Sequence, residues 1–170
     1  SEEGIRNFWR WFGDSKVVDE QGRPLVVYHG TDVDFSEFNK EKIKSRFPYS
    51  FGFHFTDRPS EADLYAIGVG VKPENAPEGA NVLPVFIRAQ KPLVINTREL
   101  TASMEADLNK ADIIAKLVEA KKAGEPYDSV LINRERGDEW DGKNIIVFSP
   151  TQIKSATGNS GAFGKDEPSI

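Results

Sequence analysis

Short apolar runs separated by turn-forming residues dominate the hydrophobic pattern of this chain. The runs are rich in β-branched and aromatic residues and are bounded by Gly, Pro, Asn or Asp, which is typical of strands. The predicted strands cover residues 25–28, 51–55, 82–87, 92–95, 130–132 and 145–148. Helical periodicity predicts helices over residues 2–13, 57–66 and 113–123. Many short strands with few helices predict an α+β fold around a mostly antiparallel sheet.

The same pattern predicts local details of these elements. The first helix carries four large apolar residues on one face, which leaves Trp11 outside the buried stripe. The four residues of this stripe are Ile5, Phe8, Trp9 and Phe12. Asp57 is expected to cap the second helix, with Pro59 in its first turn. Pro84 has no backbone N–H, so its strand is expected at an edge or a bulge of the sheet.

Composition limits the kind of protein that this chain can be. Its 170 residues, 38% hydrophobic and 29% charged, fit one ordinary globular domain. The absence of cysteine excludes disulfides and thiolate nucleophiles, and two histidines with scattered carboxylates predict no metal site. A net charge of −5 disfavours non-specific binding to nucleic acid. No apolar run reaches the roughly 20 residues of a membrane helix, and no secretory signal leads the chain.

Both histidines lie where an apolar, strand-like run meets glycine and a hydroxyl residue. His29-Gly30-Thr31 follows the run at 25–28, and His54 lies within the segment 50–57. A buried strand that presents polar side chains and bare backbone at its tip is suited to ligand binding. The residues leave open an alternative, in which the strand merely stops and His29 is a satisfied core residue.

Four segments together resemble one protein family. They are residues 8–18, 24–31, 148–156 and the closing Gly-Ala-Phe at 161–163. They are similar to the ADP-ribosyltransferase domain of phage polyvalent and head-associated (MuF-type) proteins and of bacterial polymorphic toxins. The resemblance implies an ADP-ribosyltransferase-like fold, with a mostly antiparallel, split β-sheet core and peripheral helices. We expect this domain to cover residues 1–155, with an N-terminal helix at 1–14 and a C-terminal tail at 156–170.

A more distant resemblance, to the diphtheria-toxin and poly(ADP-ribose)-polymerase class, implies a site for NAD as substrate. This class has a histidine, a tyrosine and a glutamate on three strands. His29 matches the first, His54 stands at the tyrosine position, and Asn144 stands at the glutamate position. The resemblance implies that His29 bonds a ribose hydroxyl, and that His54 supplies the other face of the nicotinamide or a polar contact. For Asn144, an exposed residue at the start of a strand is the alternative.

The motif neighbours complete the implied NAD site. The backbone of Gly30 would hold the nicotinamide amide, because a glycine lets the ligand approach without a Cβ. Thr31 would bond the adenosine side, and Gly52 and Phe53 belong to the second motif of the site. Tyr65 would stack on the nicotinamide ring, and the alternative for it is a core aromatic on an amphipathic helix.

An asparagine at position 144 leaves the site without its usual carboxylate. Cleavage of NAD passes through an oxocarbenium-like state that nearby negative charge stabilises, and an amide has no such charge. Asp138, Glu139 and Asp141 lie on an acidic loop shortly before Asn144. We expect Glu139 to supply the charge, because its side chain is longer and Trp140 beside it can anchor the loop.

The implied activity is an NAD-dependent ADP-ribosyltransferase, a toxin or phage effector domain acting in the cytoplasm of a host or target cell. Its acceptor is a protein or a nucleic acid, and an immunity protein is a further partner if it is a toxin. The segment 40–49 is expected to cover the bound cofactor. One alternative is an RNA 2′-phosphotransferase, which needs a set of arginines to bind phosphate. Arg46, Arg58 and Arg88 show no recognisable arrangement of this kind in the sequence. The other is a non-catalytic NAD-binding virion module.

Overall fold

The computed structural model describes residues 1–33, 35–42, 52–68, 70–99 and 110–170. Its helices are α1 (Glu2–Phe12), α2 (Pro59–Ile67) and α3 (Lys110–Lys122). Its strands are β1 (Val27–Thr31), β2 (Phe53–Thr56), β3 (Asn81–Ile87), β4 (Pro92–Asn96), β5 (Ser129–Arg134), β6 (Gly142–Val147) and β7 (Ile153–Ser155). The predicted strands are all present. The segment 40–49, expected to cover the cofactor, lies outside the described residues except for one 3-10 turn at Lys40–Lys42.

The strands form one seven-stranded sheet in the order β4-β5-β6-β2-β1-β3-β7. Only β4 and β5 run parallel, and every other neighbouring pair is antiparallel. The predicted α+β class with a mostly antiparallel sheet is therefore confirmed. The strand pairing is shortest in the middle of the sheet, where β1 and β2 share a single register pair, Tyr28 with Thr56, and this position is called the split. This split lies beside the His29-Gly30-Thr31 stretch.

Alternation along the strands divides the side chains between two faces of the sheet. One face carries the larger core, in which Val27, Phe55, Val85 and Ile145 are buried. On the other face, α3 packs its Ile113 into a smaller cluster with β4, β5 and β6. Helix α2 lies over β1 on that second face, because a Cβ built on Gly30 would meet the backbone of Ala62 and Ala66 in α2. Thr56 of β2 and Asn144 of β6 point to this second face, and both contact Glu61 of α2.

The buried face of α1 differs from the predicted stripe. Trp11 is 1% exposed and donates its indole N–H to the carbonyl of Thr151, whereas Ile5 and Trp9 are 60% and 52% exposed. Phe8 packs on Phe86 of the sheet. The prediction that Trp11 is exposed is wrong. Five large apolar residues lie on this helix, so its periodicity is compatible with two overlapping stripes. The hydrogen bond of the indole favours the stripe that contains Trp11.

The predicted edge position of Pro84 is also wrong. Strand β3 lies between β1 and β7, and the carbonyl of Pro84 accepts a hydrogen bond from the N–H of Ala156. In an antiparallel strand the N–H and C=O of one residue point to the same side. The missing N–H therefore faces the side of β7, just beyond its last register pair, Val85 with Ser155.

The start of α2 does not use the predicted cap. The N-cap residue is Arg58, without a side-chain capping bond, and Pro59 occupies the first turn as expected. The carboxylate of Asp57 instead accepts from the backbone N–H of Lys143, whose carbonyl accepts from the Asp57 N–H. Asp57 thus ties the end of β2 to the start of β6.

The predicted tail, residues 156–170, packs onto the domain although it contains no helix. The ammonium group of Lys154 donates to the carbonyls of Glu167 and Ser169, each at 2.8 Å. The N–H of Ile170 donates to the carbonyl of Ser36. The boundary placed at residue 155 stays a prediction, and these bonds show that the segment beyond it is held by backbone groups.

Replacing Lys154 with methionine is expected to loosen this C-terminal segment. Burial lowers the pKa of the Lys154 ammonium, so its two carbonyl bonds form in a poorly solvated place. Methionine keeps the aliphatic packing and removes both bonds, which should cost about 1–2 kcal/mol. Amide exchange at Ile170 and thermal melting measure the effect. The exposed Lys165 provides the control. Equal exchange in Lys154→Met and Lys165→Met proteins would contradict this role.

Candidate active site

His29 spans the split between β1 and β2. Its Nδ1 lies 2.8 Å from the carbonyl oxygen of His54. Its ring lies in an aromatic enclosure, 5.0 Å from the ring centre of Phe38 and 5.5 Å from that of Phe55. A carbonyl only accepts, so Nδ1 carries the proton and Nε2 is the acceptor of a neutral imidazole. Burial lowers the pKa of His29 and so favours this neutral form, although the bond to His54 acts in the opposite direction.

Gly30 is required by the packing of α2. A Cβ built on Gly30 would stand 1.8 Å from the carbonyl oxygen of Ala62 and 2.8 Å from the backbone nitrogen of Ala66. The helix therefore lies directly on the backbone of β1. The sequence-based expectation was close approach by a ligand, and the structure fills this space with a helix. Any contact between Gly30 and NAD is left to its N–H and C=O groups.

Three other members of the predicted NAD site are engaged by the protein itself. Thr31 is buried, and its hydroxyl donates to the carbonyl of Val33 and accepts from the Val33 N–H. A Cβ on Gly52 would stand 2.7 Å from the Val147 carbonyl oxygen, which makes this a packing glycine. Phe53 is 6% exposed and belongs to the larger core, on the face opposite α2. These three residues shape the strands around the split.

A cluster of polar side chains lies between α2 and the sheet. Asn144 of β6 and Thr56 of β2 are register partners, and both reach Glu61 of α2. The Asn144 Nδ2 lies 3.1 Å and 3.3 Å from the two carboxylate oxygens of Glu61. The guanidinium of Arg58 pairs with the same carboxylate. Glu61 is only 6% exposed.

Sequence reasoning missed Glu61. As the third residue of α2 it has the position of an ordinary capping-box glutamate. Its distance of 83 residues from Asn144 along the chain also gave no sign that the two side chains meet. One signal was available in the sequence. Glu61 lies beside Ala62 on the buried side of α2, where a carboxylate without a partner would be costly, so a partner for it could have been expected.

The acidic loop before β6 reaches this cluster through Arg58. The guanidinium donates to the carbonyl of Glu139 and lies 5.7 Å from the ring centre of Trp140. The Glu139 side chain is exposed. Asp138 accepts from the Trp140 N–H, and Asp141 accepts from two loop N–H groups, which lower its pKa. Asp138 and Asp141, two of the three predicted loop carboxylates, therefore stabilise the conformation of the loop.

His54 and Tyr65 lie on the same side of the sheet as this cluster. His54 is two residues from Thr56 on β2, so both side chains project toward α2. Tyr65 follows Glu61 by one helical turn and is 49% exposed. Such exposure does not fit the alternative that Tyr65 is a core aromatic. Strand alternation places the His29 ring on the face of the sheet opposite Asn144. A ligand that contacts both residues must therefore lie at the split between β1 and β2.

A family model described as "ADP-Ribosyltransferase in polyvalent proteins" matches residues 19–163. The match includes both histidines, Glu61, Tyr65 and Asn144. Comparison with curated proteins gives no match. None of the described helices is long and apolar enough to cross a membrane. Among the described residues, no group of three or more acidic or histidine side chains could hold a metal ion. The family match confirms the resemblance inferred from the sequence motifs.

Proposed function

This chain belongs to the family of ADP-ribosyltransferases in polyvalent proteins, and we propose that it uses NAD as its ADP-ribose donor. It is an ADP-ribosyltransferase with the α+β fold of this class. In the proposed reaction the bond between the nicotinamide nitrogen and ribose C1′ breaks, and its electron pair leaves with neutral nicotinamide. A nucleophile of a macromolecular acceptor then bonds to C1′ and loses its proton.

The geometry of His29 is the observation that carries the proposal. Because its Nδ1–H is committed to the His54 carbonyl, the neutral imidazole offers Nε2 to a hydroxyl donor. A ribose hydroxyl is such a donor. The enclosing phenylalanine rings hold the imidazole in place before the ligand binds, which reduces the ordering cost of binding.

Tyr65, His54 and Asn144 complete the proposed site on the α2 side. The half-exposed ring of Tyr65 offers a stacking surface for the positively charged nicotinamide, as aromatic faces attract cations. His54 contacts the nicotinamide from β2. Asn144 offers its amide to the ribose 2′-OH. Gly30 contributes backbone groups at the split, and Thr31, Gly52 and Phe53 support the strands that carry it.

We propose that this transferase is a toxin or phage effector domain that acts in the cytoplasm of a host or target cell. The family description, which refers to polyvalent proteins, supports this role. The acceptor meets the loop at 135–141, whose acidic side chains favour a basic protein surface over nucleic acid. A toxin of this kind would also require an immunity protein in the cell that makes it.

The arginines argue against an RNA 2′-phosphotransferase. Arg58 is paired with Glu61, and Arg88 donates to the carbonyl of Lys165. Arg46 lies outside the described residues. A phosphate site requires guanidinium groups that converge on one anion, whereas Arg58 and Arg88 are directed to protein partners.

NAD binding and cleavage test the proposal directly. We expect calorimetry to give saturable binding below about 1 mM, the usual upper range for an enzyme substrate. With NAD labelled in its adenylate part, label should move to protein or nucleic acid of a cell extract as nicotinamide is released. NADH, which has no charged nicotinamide to release, is the matched control and should transfer no label. Absence of NAD binding at millimolar ligand would refute the proposal, and binding without cleavage would indicate a non-catalytic NAD-binding module.

A further inference from the structure

Glu61 and Asn144 form a unit whose geometry has a chemical consequence. Both distances from Asn144 to the Glu61 carboxylate are measured from the amide nitrogen. A carboxylate only accepts hydrogen bonds, so the opposite orientation of the amide would bring oxygen against oxygen. Glu61 therefore fixes the Nδ2 end of the Asn144 amide toward its carboxylate, which leaves Oδ1 as the end not bound to Glu61.

The carboxylate of Glu61 is itself held rigidly. The Thr56 hydroxyl and the Arg58 guanidinium both donate to its Oε2 atom. Its Oε1 atom contacts Asn144. A group whose rotamer is locked by several hydrogen bonds can orient a neighbour to within the small tolerance that a site requires.

On the basis of the proposed function, we propose that Glu61 is a positioning residue that holds Asn144 with its Oδ1 toward the ribose 2′-OH of NAD. The oriented amide presents the negative end of its dipole to the sugar on which positive charge develops, and the carboxylate behind it reinforces that dipole. The Glu61–Asn144 pair thus takes over the place of a single strand glutamate. This assigns to the buried Glu61 the part that the sequence assigned to Glu139 on the exposed loop.

Glu61→Gln is the central test. A glutamine at position 61 keeps the shape but offers Asn144 both a donor and an acceptor, so the amide is no longer held in one orientation. We expect kcat for nicotinamide release to fall at least about tenfold, with NAD affinity changed less than about threefold. Asp63, exposed on the same helix, gives the matched control Asp63→Asn, which should retain wild-type kcat.

The exchange variant E61Q/N144D separates positioning from folding. A carboxylate at position 144 offers an oxygen in either orientation, and the side-chain amide introduced at position 61 can donate to it. We therefore expect the double variant to recover kcat to within about threefold of wild type. If Glu61→Gln does not fold because the charge of Arg58 is left unpaired, R58M/E61Q, which removes both charges, replaces it.

Several outcomes would overturn the proposal. They are a folded Glu61→Gln protein with wild-type kcat, an exchange variant that binds NAD without recovering turnover, and a loss of turnover in Glu139→Gln alone. If the wild type fails to bind NAD, the proposed function fails, yet the positioning can still be judged. The side-chain amide protons of Asn144 should then show slow exchange by NMR that becomes faster in Glu61→Gln, and unprotected amide protons in the wild type would refute the pairing.

Discussion

Replacing Gly30 with alanine is expected to lower the free energy of unfolding by more than about 3 kcal/mol, because a clash with helix backbone cannot be removed by a change of side-chain rotamer. The added methyl group would stand 1.8 Å from the Ala62 carbonyl oxygen. Main-chain atoms of a helix cannot change rotamer, so α2 as a whole must move off β1. A typical domain is stable by about 5–15 kcal/mol, so the loss is a large part of the total.

Urea denaturation of Gly30→Ala and Gly158→Ala proteins measures this effect. The nearest neighbour of a Cβ on Gly158 is the Ser155 hydroxyl at 3.4 Å, an ordinary contact, so Gly158→Ala should behave like wild type. If Gly30 served only ligand approach, its variant would keep wild-type stability and lose NAD binding alone. That result would contradict the packing of α2 on β1, and with it the placement of Glu61 and Tyr65.

The strands were predictable because each buries a short, continuous apolar run. Their exact extent was not, and β1 shows why. The apolar run ends at Tyr28, yet the strand continues through His29, Gly30 and Thr31, because their backbones pair with β3. Backbone pairing depends on a partner at least 50 residues away along the chain (Thr31 and Asn81, 81 − 31 = 50), so no local pattern reveals it. The packing of residues 156–170 on the domain was not predicted for the same reason. Backbone carbonyl groups hold this segment, and they have no sequence signature.

The same distinction applies to the candidate site, where local motifs could be predicted and contacts between distant segments could not. His29, His54 and Asn144 were predicted from motif spacing, and the structure places them on β1, β2 and β6. Their roles in the site stay predictions. Glu61 could not be found in this way, because its importance rests on a contact between a helix and a strand distant in sequence. The loop carboxylates were predicted from their nearness to Asn144 along the chain, and Glu139 among them from its longer side chain beside Trp140. The fold brings a different carboxylate to Asn144.

His29→Gln is expected to make the stability of the domain less sensitive to acid. Burial lowers the pKa of His29 below its usual 6.5, so the unfolded chain takes up a proton on this ring at a pH where the folded protein does not. The contribution of neutral His29 to stability is therefore complete above pH 6.5 and is lost as the pH falls from there toward the folded-state pKa. Within this window the loss amounts to about 1.4 kcal/mol per pH unit.

Glutamine removes this titration while its amide can still donate to the His54 carbonyl, so the comparison isolates the imidazole. Free energies of unfolding at neutral and mildly acidic pH should fall more steeply for the wild type than for His29→Gln. The variant should also bind NAD more weakly by about 1 kcal/mol or more, because the acceptor nitrogen offered to the ribose is gone. Parallel pH profiles for the two proteins would mean that His29 is protonated as readily in the folded state as in the unfolded chain. Burial would then not keep the imidazole neutral below pH 6.5, and the proposed ribose contact through neutral Nε2 would weaken in that range.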